Sequence, residues 1–77
     1  MNYYLFRFGD KGRYTYRIEK AETPEEACKK AFGVVLSVPH NGNVVYKDIG
    51  RKSPKYATQK TKQTWYNEEN WLTLASN

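Results

Sequence analysis

Two aromatic-rich runs joined by a glycine-bracketed turn constrain this chain more than any other feature. The runs YYLFRF and RYTYRIEK have the aromatic composition that favours β-strands, and Gly9-Asp10-Lys11-Gly12 lies between them. A type I turn followed by a glycine with positive φ forms the three-residue hairpin loop that carries a bulge, and Gly12 adopts such a φ without steric cost. The sequence therefore predicts a β-hairpin in which Gly9 pairs with Arg13.

This closure determines which side chains share a face of the hairpin, because directly paired residues of antiparallel strands point to the same side. The pairs on one face would be Phe8 with Tyr14, Phe6 with Tyr16 and Tyr4 with Ile18. The pairs on the other face would be Arg7 with Thr15, Leu5 with Arg17 and Tyr3 with Glu19. A slip of one residue would mix rings with charges, so we expect the first face to be buried and the second to point outward.

A capped helix follows the hairpin. Thr23 is a good N-cap, and Pro24 suits the first helical position. Glu26 follows Thr23 by three residues, which is the spacing of a capping box. The small or apolar positions Ala27, Cys28, Ala31 and Phe32 form one stripe that can pack on the rings of the hairpin.

The end of this helix and the segment after it have two interpretations. We favour a helix that runs to near Leu36 ahead of Pro39, although Gly33 is a natural stop. In the alternative, residues 34–38 form a strand that turns at Asn41-Gly42, a strong hairpin dipeptide. In both interpretations residues 44–49 form a strand.

The last third of the chain is polar first and aromatic afterwards. Residues 51–64 carry five cations and no acid, and with Pro54 among them they are typical of a mobile loop or a lysine-protected edge strand. Residues 65–75 are again aromatic, with Trp65, Tyr66 and Trp71. They are expected to form either a short helix that begins at Asn67 or a strand over 70–75. The prediction is one α+β domain over residues 1–77: a core of 2–50 with order β-β-α-β, in which one α-helix packs a small antiparallel sheet, then a basic segment and a short C-terminal element.

The composition excludes several classes of function. One cysteine allows no internal disulfide, and one histidine allows no metal site built from several His and Cys ligands. Covalent catalysis needs a nucleophile beside a base, but Cys28 lies on the helix stripe, where a cysteine is usually a small buried hydrophobe, and His40 lies in a polar turn. We expect no enzymatic activity, no cofactor and no metal.

The location of the protein follows from its apolar runs. The longest, Val34 to Leu36, is far below the roughly 20 residues of a membrane span, and no basic-then-apolar leader begins the chain. We expect a soluble, unprocessed, cytoplasmic protein that binds no membrane.

Charge and aromatic content point instead to binding. The net charge is +5 and twelve of the 77 residues are Phe, Trp or Tyr, more rings than so small a core is expected to enclose. Rings and arginines anchor protein interfaces, whereas clustered cations with exposed rings bind single-stranded nucleic acid. We favour a host protein or complex as the partner and keep nucleic acid as the alternative, with homodimerisation left open. The residues that we expect to contact a partner are Tyr3, Arg7, Arg13, Arg17, Arg51, Lys52, Lys55, Tyr56, Lys60, Lys62 and Trp65.

The segments AETPEEACKKA and VPHNG resemble a module of small phage-encoded proteins, in which two strands and a capped helix lead through a Val-Pro turn into a strand. Small phage inhibitors of bacterial RNA polymerase have a similar order of elements, and the resemblance covers about residues 3–49. It implies that the chain binds a host enzyme rather than catalysing a reaction. Carried over to this sequence, it implies a contact through Arg7, Arg13 and Arg17.

Overall fold

A computed structural model describes residues 1–10, 12–33, 44–67 and 69–73. In chain order the elements are β1 (Asn2–Asp10), β2 (Arg13–Ala21), α1 (Pro24–Phe32), β3 (Val45–Gly50), a 3-10 turn (Pro54–Tyr56), α2 (Gln59–Tyr66) and β4 (Leu72–Thr73). The strands form one antiparallel sheet in the order β2-β1-β3-β4. The predicted α+β class, with one principal helix on a small antiparallel sheet, is confirmed.

The register of the hairpin differs by one residue from the prediction. Asp10 pairs with Arg13, and Gly9 lies inside the strand pair opposite Tyr14. Gly9 has φ 123°, and a Cβ placed there would stand 2.6 Å from the carbonyl oxygen of Arg13. The prediction was wrong because it placed Gly9 in the pair that closes the turn. Gly9 instead lies within the strand, at a position where a side chain would clash with the Arg13 backbone.

The shifted register separates the rings onto two faces of the sheet. Phe6 is directly opposite Arg17, and Arg7 is opposite Tyr16, so the even positions of β1 share a face with the odd positions of β2. The predicted pairing of Phe6 with Tyr16 is therefore wrong. Both faces of the central strand are covered, because Phe6 and Leu5 are each 0% exposed although they point to opposite sides.

The first face packs against α1. Phe6 meets Phe32 of α1 edge-on, with ring centroids 6.1 Å apart, and the buried Ala27 and Cys28 let the helix approach the sheet closely. The buried residues of this core are Tyr4, Phe6, Ala21, Ala27, Cys28 and Val44, with Phe8, Phe32 and Tyr46 packed against them. The stripe predicted for α1 is confirmed.

The second face is covered by rings from the C-terminal part of the chain. Tyr16 contacts Tyr66 edge-on at 4.8 Å between centroids and Trp71 at 6.5 Å. The guanidinium carbon of Arg7 lies 4.2 Å from the centroid of Tyr14 and 4.9 Å from that of Trp71. The expectation that the face with Leu5 and Arg7 points outward is thus wrong, because this face carries a second packed layer.

The ends of α1 follow local chemistry. The Thr23 side chain accepts a hydrogen bond from the backbone N–H of Glu26 at 3.2 Å, and Pro24 occupies the first turn, as predicted. Gly33 adopts a left-handed conformation at φ 82° and its N–H bonds to the Lys29 carbonyl, so the favoured extension to Leu36 is wrong. The alternative strand over 34–38 and the turn at Asn41-Gly42 lie outside the described residues.

Most of residues 51–64 are helical, in the 3-10 turn and α2, and not the predicted loop or edge strand. Ser53 and Thr58 place side-chain oxygens on the backbone N–H groups of Lys55 and Thr61, at 3.4 and 3.1 Å. These caps start the 3-10 turn and α2 respectively, because each satisfies a donor that has no partner within the helix. The predicted loop or edge strand was therefore wrong.

The C-terminal element is the strand of the two predicted alternatives. β4 confirms that strand over Leu72–Thr73, while residues 74–75 lie outside the described range. The predicted helix beginning at Asn67 is wrong, because residues 67 and 69–71 are not helical. The Asn67 carbonyl accepts hydrogen bonds from Lys47 Nζ at 2.9 Å and Trp71 Nε1 at 2.7 Å, which ties the C-terminal end of α2 to β3 and to the following segment.

β2 is one edge of the sheet, and cationic side chains bond to its carbonyl groups. Lys30 Nζ donates to the Lys20 carbonyl at 2.8 Å, and the Arg17 guanidinium donates to the Tyr16 carbonyl at 3.1 Å. Charged residues on an edge strand disfavour pairing with a further strand. Across the ranges that the structure describes, no helix is long and apolar enough to cross a membrane.

Candidate functional site

A cleft opens where the end of β3 meets the start of α2. Its volume is about 620 Å³, within the range of roughly 300 to 1,000 Å³ that is typical of ligand sites. The capped 3-10 turn contributes Tyr56, with Ser53 and Ala57 on either side of the turn, to the lining of the cleft. The residues that line the cleft are Ile49, Gly50, Arg51, Lys52, Ser53, Tyr56, Ala57, Thr58, Thr61 and Trp65.

The lining of the cleft combines apolar side chains with positive charge. Ile49, Ala57 and Trp65 are partly buried and supply apolar surface, whereas Arg51 and Lys52 are exposed. No carboxylate lies among the lining residues. Two cations in a lining whose described residues include no acid favour an anionic ligand.

Tyr56 is the most exposed ring beside the cleft. Its side chain is 76% exposed, and Lys55 Nζ lies 5.3 Å from its ring centroid. An exposed tyrosine beside cations is the kind of residue that anchors protein interfaces. Because the ring lines the cleft while most of it remains in solvent, a partner could cover it without any rearrangement of the core.

Trp65 separates this cleft from a smaller one. The second cleft, of about 250 Å³, lies on the other side of Ile49 and Trp65 and includes the carboxylate-bearing Asp48. Asp48 accepts hydrogen bonds from Asn2 and from the backbone N–H of Gly50, at 2.7 and 2.9 Å. These two hydrogen bonds hold the Asp48 carboxylate, and Asp48 is not among the residues that line the first cleft.

One ionisable group near the sheet has a shifted pKa. Burial raises the pKa of the Tyr4 hydroxyl above its ordinary value of 10.0, and the negative charge of Asp48 adds to this rise. Tyr4 belongs to the core that packs on α1. The raised pKa is what burial of a phenol within a packed core produces, because burial disfavours the charged form.

The predicted partner-binding residues do not form one surface. Arg51, Lys52, Tyr56 and Trp65 meet around the cleft, with Lys55 beside Tyr56. Lys60 and Lys62 lie on α2 and do not line it.

The hairpin residues of the prediction divide between the two sides of the sheet. Arg7 and Tyr3 lie on the face covered by the C-terminal rings, while Arg13 and Arg17 are exposed and belong to the side that carries α1. The common arginine face implied by the phage resemblance is therefore wrong, since the one-residue register shift places Arg7 and Arg17 on opposite sides.

Sequence reasoning missed six residues that line the cleft: Ile49, Gly50, Ser53, Ala57, Thr58 and Thr61. A signal for two of them was present. Ser53 precedes Pro54, and Thr58 precedes a polar run without glycine or proline, which is the usual start of a short helix. Those caps would have replaced the predicted loop by two helical turns.

Metal binding and nucleophilic catalysis each require a particular grouping of side chains. No group of three or more His, Cys, Asp or Glu side chains is placed there to hold a metal ion. Cys28 is 0% exposed within the core, and His40 lies outside the described ranges. Comparisons with protein-family models, curated proteins and solved structures return no match to this chain.

Proposed function

We propose that this chain is a small non-enzymatic binding protein that regulates or inhibits a larger host protein or complex through a basic and aromatic surface. The observation that carries the proposal is the cleft between β3 and α2, where Arg51 and Lys52 border apolar side chains and none of the described lining residues is an acid. The partner surface should therefore be acidic and should present apolar side chains.

The arrangement of the rings favours a protein over a nucleic acid. A non-specific single-strand site stacks successive bases on successive exposed rings. Tyr14, Tyr16 and Trp71 instead pack on one another and on Arg7. Tyr56 is the single ring beside the cleft that is mostly exposed, which suits one anchoring contact better than a row of stacked bases.

Nucleic-acid binding is the second candidate, and one observation favours it. Residues 51–67 carry five cations and no acid, so this segment resembles a phosphate-binding surface. The two candidates differ in salt dependence. Binding that releases counterions from phosphates weakens linearly in log affinity against log salt, whereas an interface anchored by an apolar contact weakens much less.

Capture from a bacterial lysate, with and without nuclease, tests the proposal. The double variant Arg51→Glu/Lys52→Glu removes the positive charge at the cleft, and Arg13→Glu/Lys29→Glu is a control with the same change of net charge at exposed positions elsewhere. The proposal predicts that a defined protein is retained after nuclease treatment, is lost with the cleft variant and is kept with the control. Capture that nuclease abolishes would support nucleic acid as the partner, and equal loss with both variants would contradict a localised site.

A further inference from the structure

We infer that the cleft between β3 and α2 binds an acidic peptide segment of the partner, with one apolar side chain inserted and flanking carboxylates held at its rim. The inference rests on the proposed function and names the ligand class of that same site. It draws on three properties of the described lining residues: apolar side chains, positive charge without an acid, and threonine hydroxyl groups.

The interior of the cleft suits a large apolar side chain. Ile49 from β3 and Trp65 from α2 form its inner part, and Ala57 adds a small side chain that leaves space. Interface anchors are apolar or aromatic side chains inserted into such a pocket, surrounded by contacts that exclude water. At about 620 Å³, the cleft has room for a phenylalanine or leucine side chain together with the backbone beside it.

The rim suits carboxylates. An arginine binds a carboxylate with two parallel hydrogen bonds, whereas a lysine acts as a mobile point charge. Arg51 and Lys52 are adjacent and exposed at the mouth, and Lys55 follows beside the Tyr56 ring. Acidic residues on both sides of the inserted side chain would meet these three cations.

Two threonine hydroxyl groups also line the cleft. The Thr58 hydroxyl donates to Thr61 Oγ1 at 3.0 Å while accepting from the Thr61 N–H. The Thr61 hydroxyl thus accepts at its oxygen and can donate its own proton to a ligand carbonyl or carboxylate. A peptide backbone, with an acceptor at every residue, is a suitable ligand for such a donor.

Three labelled probes distinguish the possible ligands by fluorescence anisotropy: blocked peptides of sequence Asp-Glu-Phe-Glu-Asp and Asp-Glu-Ala-Glu-Asp, and an oligothymidylate of the same charge. The inference predicts that the phenylalanine peptide binds about tenfold or more tightly than the alanine peptide, since burial of the ring provides the difference. It also predicts that both peptides bind better than the oligonucleotide.

A variant that fills the cleft without a change of charge completes the test. Ala57 has extended backbone angles, φ −72° and ψ 142°, so Ala57→Leu should fold normally. Gln63→Leu, at an exposed position of α2 outside the lining, is the matched control. Ala57→Leu should remove the preference for phenylalanine, Gln63→Leu should keep it, and the thermal unfolding midpoint of each variant reports whether it folds.

The outcomes separate the inference from the function on which it rests. Equal binding of the two peptides, abolished by Arg51→Glu/Lys52→Glu, would overturn the inserted side chain while leaving a basic binding surface. Tighter binding of the oligonucleotide, reduced by Ala57→Leu, would overturn the peptide and make the cleft a nucleotide site. Absence of binding by both peptides would overturn the inference outright.

Discussion

Replacement of Arg7 by alanine should destabilise the fold, although arginine at a strand position is usually a solvent-exposed residue. Arg7 is half-buried on the sheet face covered by the C-terminal rings. Its guanidinium lies over Tyr14 at 4.2 Å and over Trp71 at 4.9 Å. Tyr14 on β2 pairs with Gly9 on β1. Because Gly9 has no side chain, the Arg7 side chain can reach diagonally across the two strands to the Tyr14 ring.

The expected cost follows from these contacts. A cation–π contact contributes about 0.5 to 2 kcal/mol, depending on how far it is shielded from water, and the aliphatic part of arginine adds packing against the rings. We expect Arg7→Ala to cost about 2 to 3 kcal/mol. Since a domain of this length is stable by about 4 to 12 kcal/mol, this loss should shift the urea midpoint clearly.

Arg17→Ala is the matched control. Arg17 is exposed and donates to the carbonyl of its neighbour Tyr16, so its loss should stay within about 0.5 kcal/mol. Urea unfolding followed by far-UV circular dichroism measures both variants without dependence on tryptophan emission. A double-mutant cycle of Arg7→Ala with Tyr14→Leu should give a coupling of about 0.5 to 2 kcal/mol. Equal stability of the two arginine variants, or a coupling near zero, would refute the second packed layer.

Three further predictions concern the turn, the core and α2. Gly9→Ala should cost at least about 3 kcal/mol in urea unfolding, because its Cβ would meet a backbone oxygen at 2.6 Å, whereas Gly12→Ala, with nothing within 4 Å, should cost about 1 kcal/mol for positive φ alone; similar costs would contradict the register. Tyr4 has a raised pKa in the folded state, so the unfolded chain loses this proton first as pH rises, and stability falls from about pH 10 upward. Between about pH 9 and pH 11, around the ordinary tyrosine pKa, the free energy of unfolding of Tyr4→Phe should fall less than that of the wild type. An identical decline in the two proteins would refute the assignment. Thr58→Ala removes the cap of α2 at a cost of about 1 kcal/mol, so amide exchange in α2 should accelerate about fivefold while α1 stays unchanged; equal acceleration in both helices would contradict a local role.

Local signals in the sequence were sufficient for α1 and for the presence of the two strands of the hairpin. Thr23 and Pro24 act within one turn of chain, and their effect does not depend on what the helix packs against. Gly33 is a similar local signal. The favoured extension to Leu36 gave more weight to apolar spacing than to this glycine.

The register of the hairpin could not be settled by pattern, because both faces of β1 carry apolar residues. Leu5 and Phe6 are adjacent and are both fully buried, so alternation of polarity does not identify an inner face. The contact that decides the pairing is the close approach of Gly9 to the Arg13 carbonyl. That contact arises between strands and leaves no periodic signal in the sequence.

The candidate site was predictable in its charge but not in its shape. Composition identified the cations of residues 51–62, and the structure places Arg51 and Lys52 at the mouth of the cleft. The apolar interior comes from Ile49 and Trp65, which are sixteen positions apart in the sequence and meet only when α2 returns to β3. Sequence spacing carries no information about such a long-range approach.

The most direct test of the account is a map of backbone amide shifts by two-dimensional NMR as the phenylalanine peptide is added. The account predicts that the largest shifts cluster at residues 49–58, with Arg7 and Tyr14 unaffected, because recognition takes place at the cleft while the second face of the sheet stays packed. Shifts concentrated at Arg7, Arg13 and Arg17, with none around Arg51, would contradict it.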